Sequence, residues 1–246
     1  MRIWHWIIVS CLVVGQCYAQ QASPSRPITF GAVLFPPNSV WDADKQACVG
    51  HVIRETRRIL TAAGLEVDVV CASALRIYRL MEEGEVDFTV NVKSTRAMPE
   101  GTLFSDTPYS QLFVELYSHS EDKGSDVIAG IRGYDYDGYR QILINSGFTF
   151  IDLPNSLDAI DMFLRGRAKH LISYRGPFQY HLHQPGQQQP LDAIGQTLTT
   201  VDTFYAIAAN SPHKAVLLKV LSDYAEARGF DYFYQPSEQD WAHPND

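Results

Sequence analysis

Two periods take turns along this chain. Ile28 to Phe35 is an apolar run rich in strand formers. Val52, Ile53, Thr56, Ile59, Leu60 and Ala63 then recur at three- and four-residue steps, the face of a helix. Gly64 ends that helix, because glycine takes the left-handed conformation past a helix terminus at little cost. Leu65, Val67, Val69 and Cys71 alternate with Glu66 and Asp68, a strand period. Ser73 is placed to cap a helix carrying Leu75, Tyr78 and Met81, which Gly84 closes. Val86, Phe88, Val90 and Val92 alternate with Asp87, Thr89 and Asn91, and this strand opens into Lys93, Ser94, Thr95 and Arg96.

The order then repeats. Val127 to Ile131 predicts a strand, Tyr139, Ile142, Leu143 and Ser146 a helix face closed by Gly147, and Phe148 to Leu153 a strand. Asn155 or Ser156 caps a helix with Leu157, Ile160, Phe163 and Leu164, Gly166 closes it, and Leu171 to Ser173 is the next strand. "ILTAAGLEVDVVCAS" (Ile59 to Ser73) lies over "ILINSGFTFIDLPNS" (Ile142 to Ser156) without a gap, and one deletion brings Gly84 onto Gly166. This is the pattern of one α/β unit used twice, with chance similarity between amphipathic segments as the alternative. Strands separated by helices imply parallel pairing through right-handed crossovers, so the fold class is α/β. Gln111 to Ser118 and Thr203 to Ala209 are further strand-like runs, on either side of the second unit. A last helix starts at Ser211-Pro212, carries Leu217, Val220, Leu221 and Tyr224 on one face and stops at Gly229. From Tyr234 on there is no period, which predicts a surface extension over 234–246.

The beginning of the chain belongs to neither unit. Arg2 is followed by a mostly apolar run, Ile3 to Val14, and Cys17-Tyr18-Ala19 has small residues where a signal peptidase reads. This is the pattern of a secretory signal over residues 1–19, cleaved before Gln20. The run is well short of the roughly 20 apolar residues of a spanning helix. Cleavage leaves 227 residues, with 19 Lys and Arg against 28 Asp and Glu, a net charge near −9. So acidic a chain excludes nucleic acid and anionic lipid as natural partners. The chain is expected to be exported, with nothing embedded in the membrane after cleavage. Of four cysteines, Cys48 and Cys71 remain, and an even pair in an exported chain suggests a disulfide, two buried free thiols being the alternative.

Catalytic motifs are missing: there is no G-x-S-x-G elbow, H-E-x-x-H, P-loop or G-x-G-x-x-G. His181 and His183 are two apart, which on a helix turns them to different faces, so they read as surface histidines rather than metal ligands. Acidic pairs such as Glu82-Glu83 read as solvated faces. No cofactor, metal or catalytic residue is expected on this basis.

The words "EEGEVDFTVN", "STR" and "FSDTPY" stand in the order and spacing that mark the bacterial extracellular solute-binding proteins of family 3, and the chain resembles that family over nearly all of its mature length. The resemblance implies two lobes, each a mostly parallel sheet flanked by helices, joined by two crossing hinge strands. Lobe 1 would comprise residues 26–112 plus 205–233, and lobe 2 residues 113–204. It implies a small-molecule ligand held between the lobes at strand carboxyl ends. Four regions map there: Phe35 with Trp41 nearby, as an aromatic wall; Asn91, Lys93, Thr95 and Arg96 after the third strand; Tyr134 and Tyr136 in "GYDYDGY", ahead of a helix start; and Tyr174 with Arg175 after the third strand of lobe 2. Packing and helix-capping roles are the alternatives for the aromatic residues and for Asp135 and Asp137.

Two departures from the family bear on the ligand. Amino-acid binders carry an arginine three residues after the threonine, where this chain has Met98; its arginine is adjacent, at Arg96. They carry an aspartate for the ligand ammonium where this chain has Tyr174. The expected ligand is therefore an anion or a carboxylate rather than an α-amino acid, with Arg96 as its clamp. The resemblance makes an inner-membrane ABC permease or a sensor the expected partner. A periplasmic enzyme on the same scaffold, resembling cyclohexadienyl dehydratase with Asp135 as its acid, is the second reading. A protein that binds another protein and has lost its ligand is the third.

Overall fold

The computed structural model describes residues 26–120, 125–186 and 193–236. The first unit runs β1 (Ile28–Val33), a hairpin of β2 (Val40–Asp42) and β3 (Ala47–Val49), α1 (His51–Ala62), β4 (Val67–Ala72), α2 (Ala74–Glu82) and β5 (Phe88–Val92). A short β6 (Leu103–Phe104) leads to the long β7 (Ser110–His119). The second unit is β8 (Val127–Ile131), α3 (Tyr139–Asn145), β9 (Thr149–Leu153), α4 (Ser156–Leu164), β10 (His170–Tyr174) and α5 (Arg175–Leu182). β11 (Ala193–Ile207) and α6 (Lys214–Arg228) close the chain of elements.

The sheet order β4-β1-β5-β11-β7-β10-β8-β9 reads the same from either end. In each lobe the second strand flanks the first, the third lies on its other side, and these three are parallel. The fourth is antiparallel and is one of the two long strands: β11 beside β5 in lobe 1, β7 beside β10 in lobe 2. β7 and β11 pair along ten residues, from Ser110 with Thr203 to His119 with Ala193, and so carry the sheet from one lobe into the other. A bulge between Thr197 and Thr199 interrupts their register.

Duplication extends to the helix ends. Leu65 N–H bonds the Leu60 carbonyl and Gly64 N–H that of Thr61; Phe148 bonds Leu143 and Gly147 bonds Ile144 in the same way. These six-to-one closures need a left-handed residue, and Gly64 (φ 72°) and Gly147 (φ 98°) supply it. Asn155 caps α4 by accepting the Asp158 N–H at 2.9 Å. Ser73 occupies the cap position of α2, but its side chain makes no capping bond.

Cores follow the apolar stripes. Ile53, Ile59 and Leu60 of α1 meet Phe30, Phe88 and Leu221 in lobe 1; Ile160 and Phe163 of α4 meet Ala129, Leu171 and Phe178 in lobe 2. Cys48 and Cys71 form a disulfide with Cα atoms 6.0 Å apart, which ties the β2–β3 hairpin to the edge strand β4. The structure adds one element that the sequence reading did not mark and corrects two readings. α5 forms despite Gly176 and Pro177, because its first turn lacks intrahelical partners for N–H groups and tolerates proline. His181 is buried inside α5, 3.3 Å from Asp161, and is not a surface histidine. The tail is not wholly a surface extension, since Tyr234 packs against lobe 1; residues 237–246, like the signal expected over 1–19, lie outside the described residues. Among the described residues no helix is long and apolar enough to cross a membrane.

Candidate functional site

The carboxyl ends of β1, β5, β8 and β10 all point toward the junction of the lobes, because the parallel units face each other across β7 and β11. Open α/β sheets bind ligands at such ends. Phe35, Tyr134, Tyr136 and Tyr174 come together here.

Phe35 and Tyr174 meet edge to face, with ring centroids 5.3 Å apart, and so join lobe 1 to lobe 2. Tyr174 also contacts Tyr136 (5.8 Å) and Tyr134 (6.2 Å). Tyr136 is buried with φ 54°, and its hydroxyl accepts the Ile131 N–H at 2.6 Å. Burial pushes the hydroxyls of Tyr134, Tyr136 and Tyr174 above the ordinary phenol range, so they stay neutral donors and acceptors. The alternating tyrosines of "GYDYDGY" are thus the wall of lobe 2 that faces lobe 1. Asp135 is occupied as a turn cap, with Oδ2 accepting the Gly138 N–H at 3.1 Å. Asp137 reaches across to Ser94, whose hydroxyl lies 3.5 Å from its Oδ1.

Opposite, Asn91 organises the loop after β5. Its amide donates to the Tyr78 hydroxyl and to Met98 Sδ (3.1 Å), and its Oδ1 accepts the Thr95 hydroxyl at 3.0 Å. These bonds use up Asn91 and Thr95 in shaping the loop. Lys93 lies over the Phe204 ring at 3.7 Å, and Arg96 is exposed with no carboxylate partner among the described residues. Arg175 is not free in this way. Its Nη2 is 2.6 Å from Glu115 Oε1 and 3.1 Å from the Thr197 hydroxyl, while its guanidinium covers Phe113 at 4.1 Å. Glu115 is buried on β7 and also accepts the Tyr117 hydroxyl, which burial and the adjacent carboxylate keep protonated. Trp41 is 52% exposed on the β2–β3 hairpin. Of the residues predicted from the sequence, Phe35, Tyr174 and Arg175 line the cavity beside the aromatic cluster, and Trp41, Asn91, Lys93, Thr95, Arg96, Tyr134 and Tyr136 do not.

A cavity of about 390 Å³ opens on the hinge side of the aromatic cluster. Lobe 1 contributes Phe35, Asn38 and His51, the hinge strand Gln111 to Phe113, and lobe 2 Tyr174 to Gly176. The remaining side is Tyr232, Tyr234, Gln235 and Pro236, which no sequence signal marks. A second hollow of about 460 Å³ lies between the 103–107 turn and α6. It touches lobe 1 alone and contains none of the residues just described, so the interlobe cavity is the candidate site.

No family model and no curated protein matches this chain. Solved structures do match. The GluR0 ligand-binding core in complex with L-glutamate is similar at TM-score 0.67 and 16% identity, over 89% of this chain and 100% of that one. A substrate-binding protein of an ABC uptake transporter from Streptococcus pneumoniae, with bound histidine, is similar at 0.67 and 16% identity, over 89% and 92%. The chain has the two-lobed periplasmic-binding-protein fold. A histidine kinase sensor domain with similarity to periplasmic binding proteins shares it too, at TM-score 0.67 and 15% identity, over 83% and 92%. At such identities it is the periplasmic-binding-protein scaffold that is common, while the chemistry between the lobes is this chain's own.

Proposed function

We propose that the protein is a periplasmic solute-binding protein of the family 3 kind, exported through the 1–19 signal, whose lobes close on a small ligand carrying a carboxylate or other anion. Lobe boundaries near 112/113 and 204/205 put the hinge where β7 and β11 cross. The observation that carries the ligand class is the contrast between two arginines. Arg175 has its charge met by Glu115 at 2.6 Å, whereas Arg96, on the loop that Asn91 and Thr95 shape, has no carboxylate partner among the described residues. A planar guanidinium at a strand carboxyl end suits a carboxylate, to which it donates two parallel hydrogen bonds. Phe35 and the three tyrosines supply an apolar wall with neutral hydroxyl tips. An ABC permease or a membrane sensor would read the closed form.

The test is a thermal-shift screen of mono- and dicarboxylates, aromatic acids and amino acids, followed by calorimetry on the best ligand. Arg96→Ala should weaken binding by about 2–4 kcal/mol, since a partly desolvated charge loses its partner. Arg96→Lys should recover part of that. Wild-type affinity in Arg96→Ala, or a cation as the best ligand, would defeat this reading.

A further inference from the structure

The segment after α6 is fastened at two places. Gly229, with φ 61°, turns the chain back toward lobe 1. There the Phe233 N–H donates to the Pro108 carbonyl at 3.1 Å and the Tyr234 N–H to the Tyr109 carbonyl at 2.8 Å, immediately ahead of the first residue of β7. Phe233 is buried, and the Tyr234 ring stacks on His51 with centroids 3.9 Å apart. The second fastening is on the hinge itself. The Tyr232 hydroxyl donates to Asp202 Oδ1 at 3.1 Å, and Gln111 Nε2 donates to the same oxygen at 3.4 Å. Gln111 and Asp202 are direct partners across the β7–β11 ladder, where both strands leave lobe 1. The bulge between Thr197 and Thr199 follows on the lobe 2 side. Beyond these anchors Tyr234, Gln235 and Pro236 line the interlobe cavity together with Tyr174, Arg175 and Gly176 of lobe 2.

We propose that Tyr232–Pro236 is a working part of the ligand site: a strap that walls the cavity on its hinge side and, through Tyr232, Asp202 and Gln111, holds the hinge strands in their closed setting. This rests on reading the cavity as the ligand seat, and is independent of Arg96 and of the ligand's charge. Hinge closure concentrates its backbone change in a few residues at the ends of crossing strands. Gln111 stands at the start of β7 and Asp202 where β11 leaves its pairing with β5, so an acceptor that grips both Gln111 and the tail resists their rotation. An occupant of the cavity lies against Tyr234 and Gln235, whose backbone continues directly into the anchors at Phe233 and Tyr232. Filling the seat and setting the hinge are thereby coupled through four residues of chain.

Hydrogen exchange on the full mature protein, with no ligand added, tests this. Tyr232→Phe deletes one hydroxyl and leaves the ring. Exchange in Ser110–Phe113 and Val201–Thr203 should rise by about threefold or more as local opening is released, while the core strands β1 and β8 exchange as before. Truncation after Phe233, which keeps the buried anchor, should in addition raise exchange at Tyr174–Gly176. Unchanged hinge exchange in Tyr232→Phe overturns the proposal. So does a truncation that loosens the core strands as much as the cavity wall, because that would make the tail a packing element only. Since no ligand enters the measurement, a negative result here is distinct from failure of the Arg96 experiment.

Discussion

Asp87 has no exposed surface, yet it is a charged residue in the middle of lobe 1. Arg26 grips it with both Nη atoms, at 2.8 and 2.6 Å, and the Thr29 N–H and Ser211 hydroxyl donate to the same carboxylate at 2.8 and 2.6 Å. The group therefore ties the start of the described chain, β1 and the approach to α6 to one point. Asp87→Asn keeps the shape but breaks the ion pair and leaves a buried donor facing donors. Stability should fall by about 3 kcal/mol, measured as a shift in urea midpoint with unchanged slope. Asp87, which lies within the "EEGEVDFTVN" word, is thus a clamp within lobe 1. The residues that do face the other lobe were legible for a reason of the same scale. Phe35, Tyr134, Tyr136 and Tyr174 follow directly from strand ends whose periods are clear, and a strand end fixes where its next side chain goes. Glu115 was not legible, because nothing local distinguishes it from any outward acid on a strand. Only the fold brings Arg175, 60 residues later, onto it.

Among the elements, the helices were readable by period and the strands by apolar content. α1, α2 and α4 bury one face each and carry the helical period, whereas β8 is buried at nearly every residue and reads as a continuous apolar run. The first half of β11, Ala193–Thr200, is exposed along most of its length, so no alternation marks it as strand. The β2–β3 hairpin is too short for a period and is held instead by the Cys48–Cys71 disulfide. Closing a loop with a sequence separation of 23 should contribute roughly 3 kcal/mol in the chain-entropy model. Replacing both cysteines by alanine should lose about that much, and thiol titration of the unreduced, unfolded parent should find neither Cys48 nor Cys71. A pH effect resides in β10. His170 is buried, bonded through Nδ1 to the Ser118 hydroxyl at 2.7 Å, and its pKa is lowered below 6.5 by burial first and then by Lys169, with His119 adding to that and Asp126 opposing it. A histidine easier to protonate unfolded than folded stabilises the fold above its unfolded pKa. That contribution is lost as pH falls from about 6.5 toward the lower folded value, then levels off. Melting curves should show the parent losing more between pH 7 and 5 than His170→Asn does; parallel curves would remove His170 as the cause.

At the scale of the molecule the question is what sets the two lobes against each other. One sheet runs through both, so the lobes cannot slide; they can only bend where β7 and β11 cross. Against that bend stand contacts outside the hinge, among them the Phe35–Tyr174 pair and its neighbours Tyr134 and Tyr136. The Ser94–Asp137 contact at 3.5 Å is exposed and contributes little. Val92 of lobe 1 packs on the same apolar cluster as Ile172 and Tyr174 of lobe 2, which gives the closed form a small core of its own. On the resemblance read from the sequence, Tyr174 takes the place of an aspartate in amino-acid binders. A charged side chain there would favour a hydrated, open cleft in the absence of ligand, whereas a ring favours closure. Tyr174→Ala deletes the ring that touches all three others and should shift the ligand-free protein toward the open form. Small-angle scattering should then give a larger radius of gyration than the parent, and a saturating ligand should restore the parent value, because the occupant replaces the missing ring as the bridge between Phe35 and lobe 2. Aromatic pairs of this kind add about 0.5–1.5 kcal/mol beyond the area they bury, so losing several at once is enough to change which form is populated. If Tyr174→Ala scatters as the parent does, the hinge and its strap hold the lobes closed without the aromatic cluster, and the cluster's role is confined to contacting the ligand.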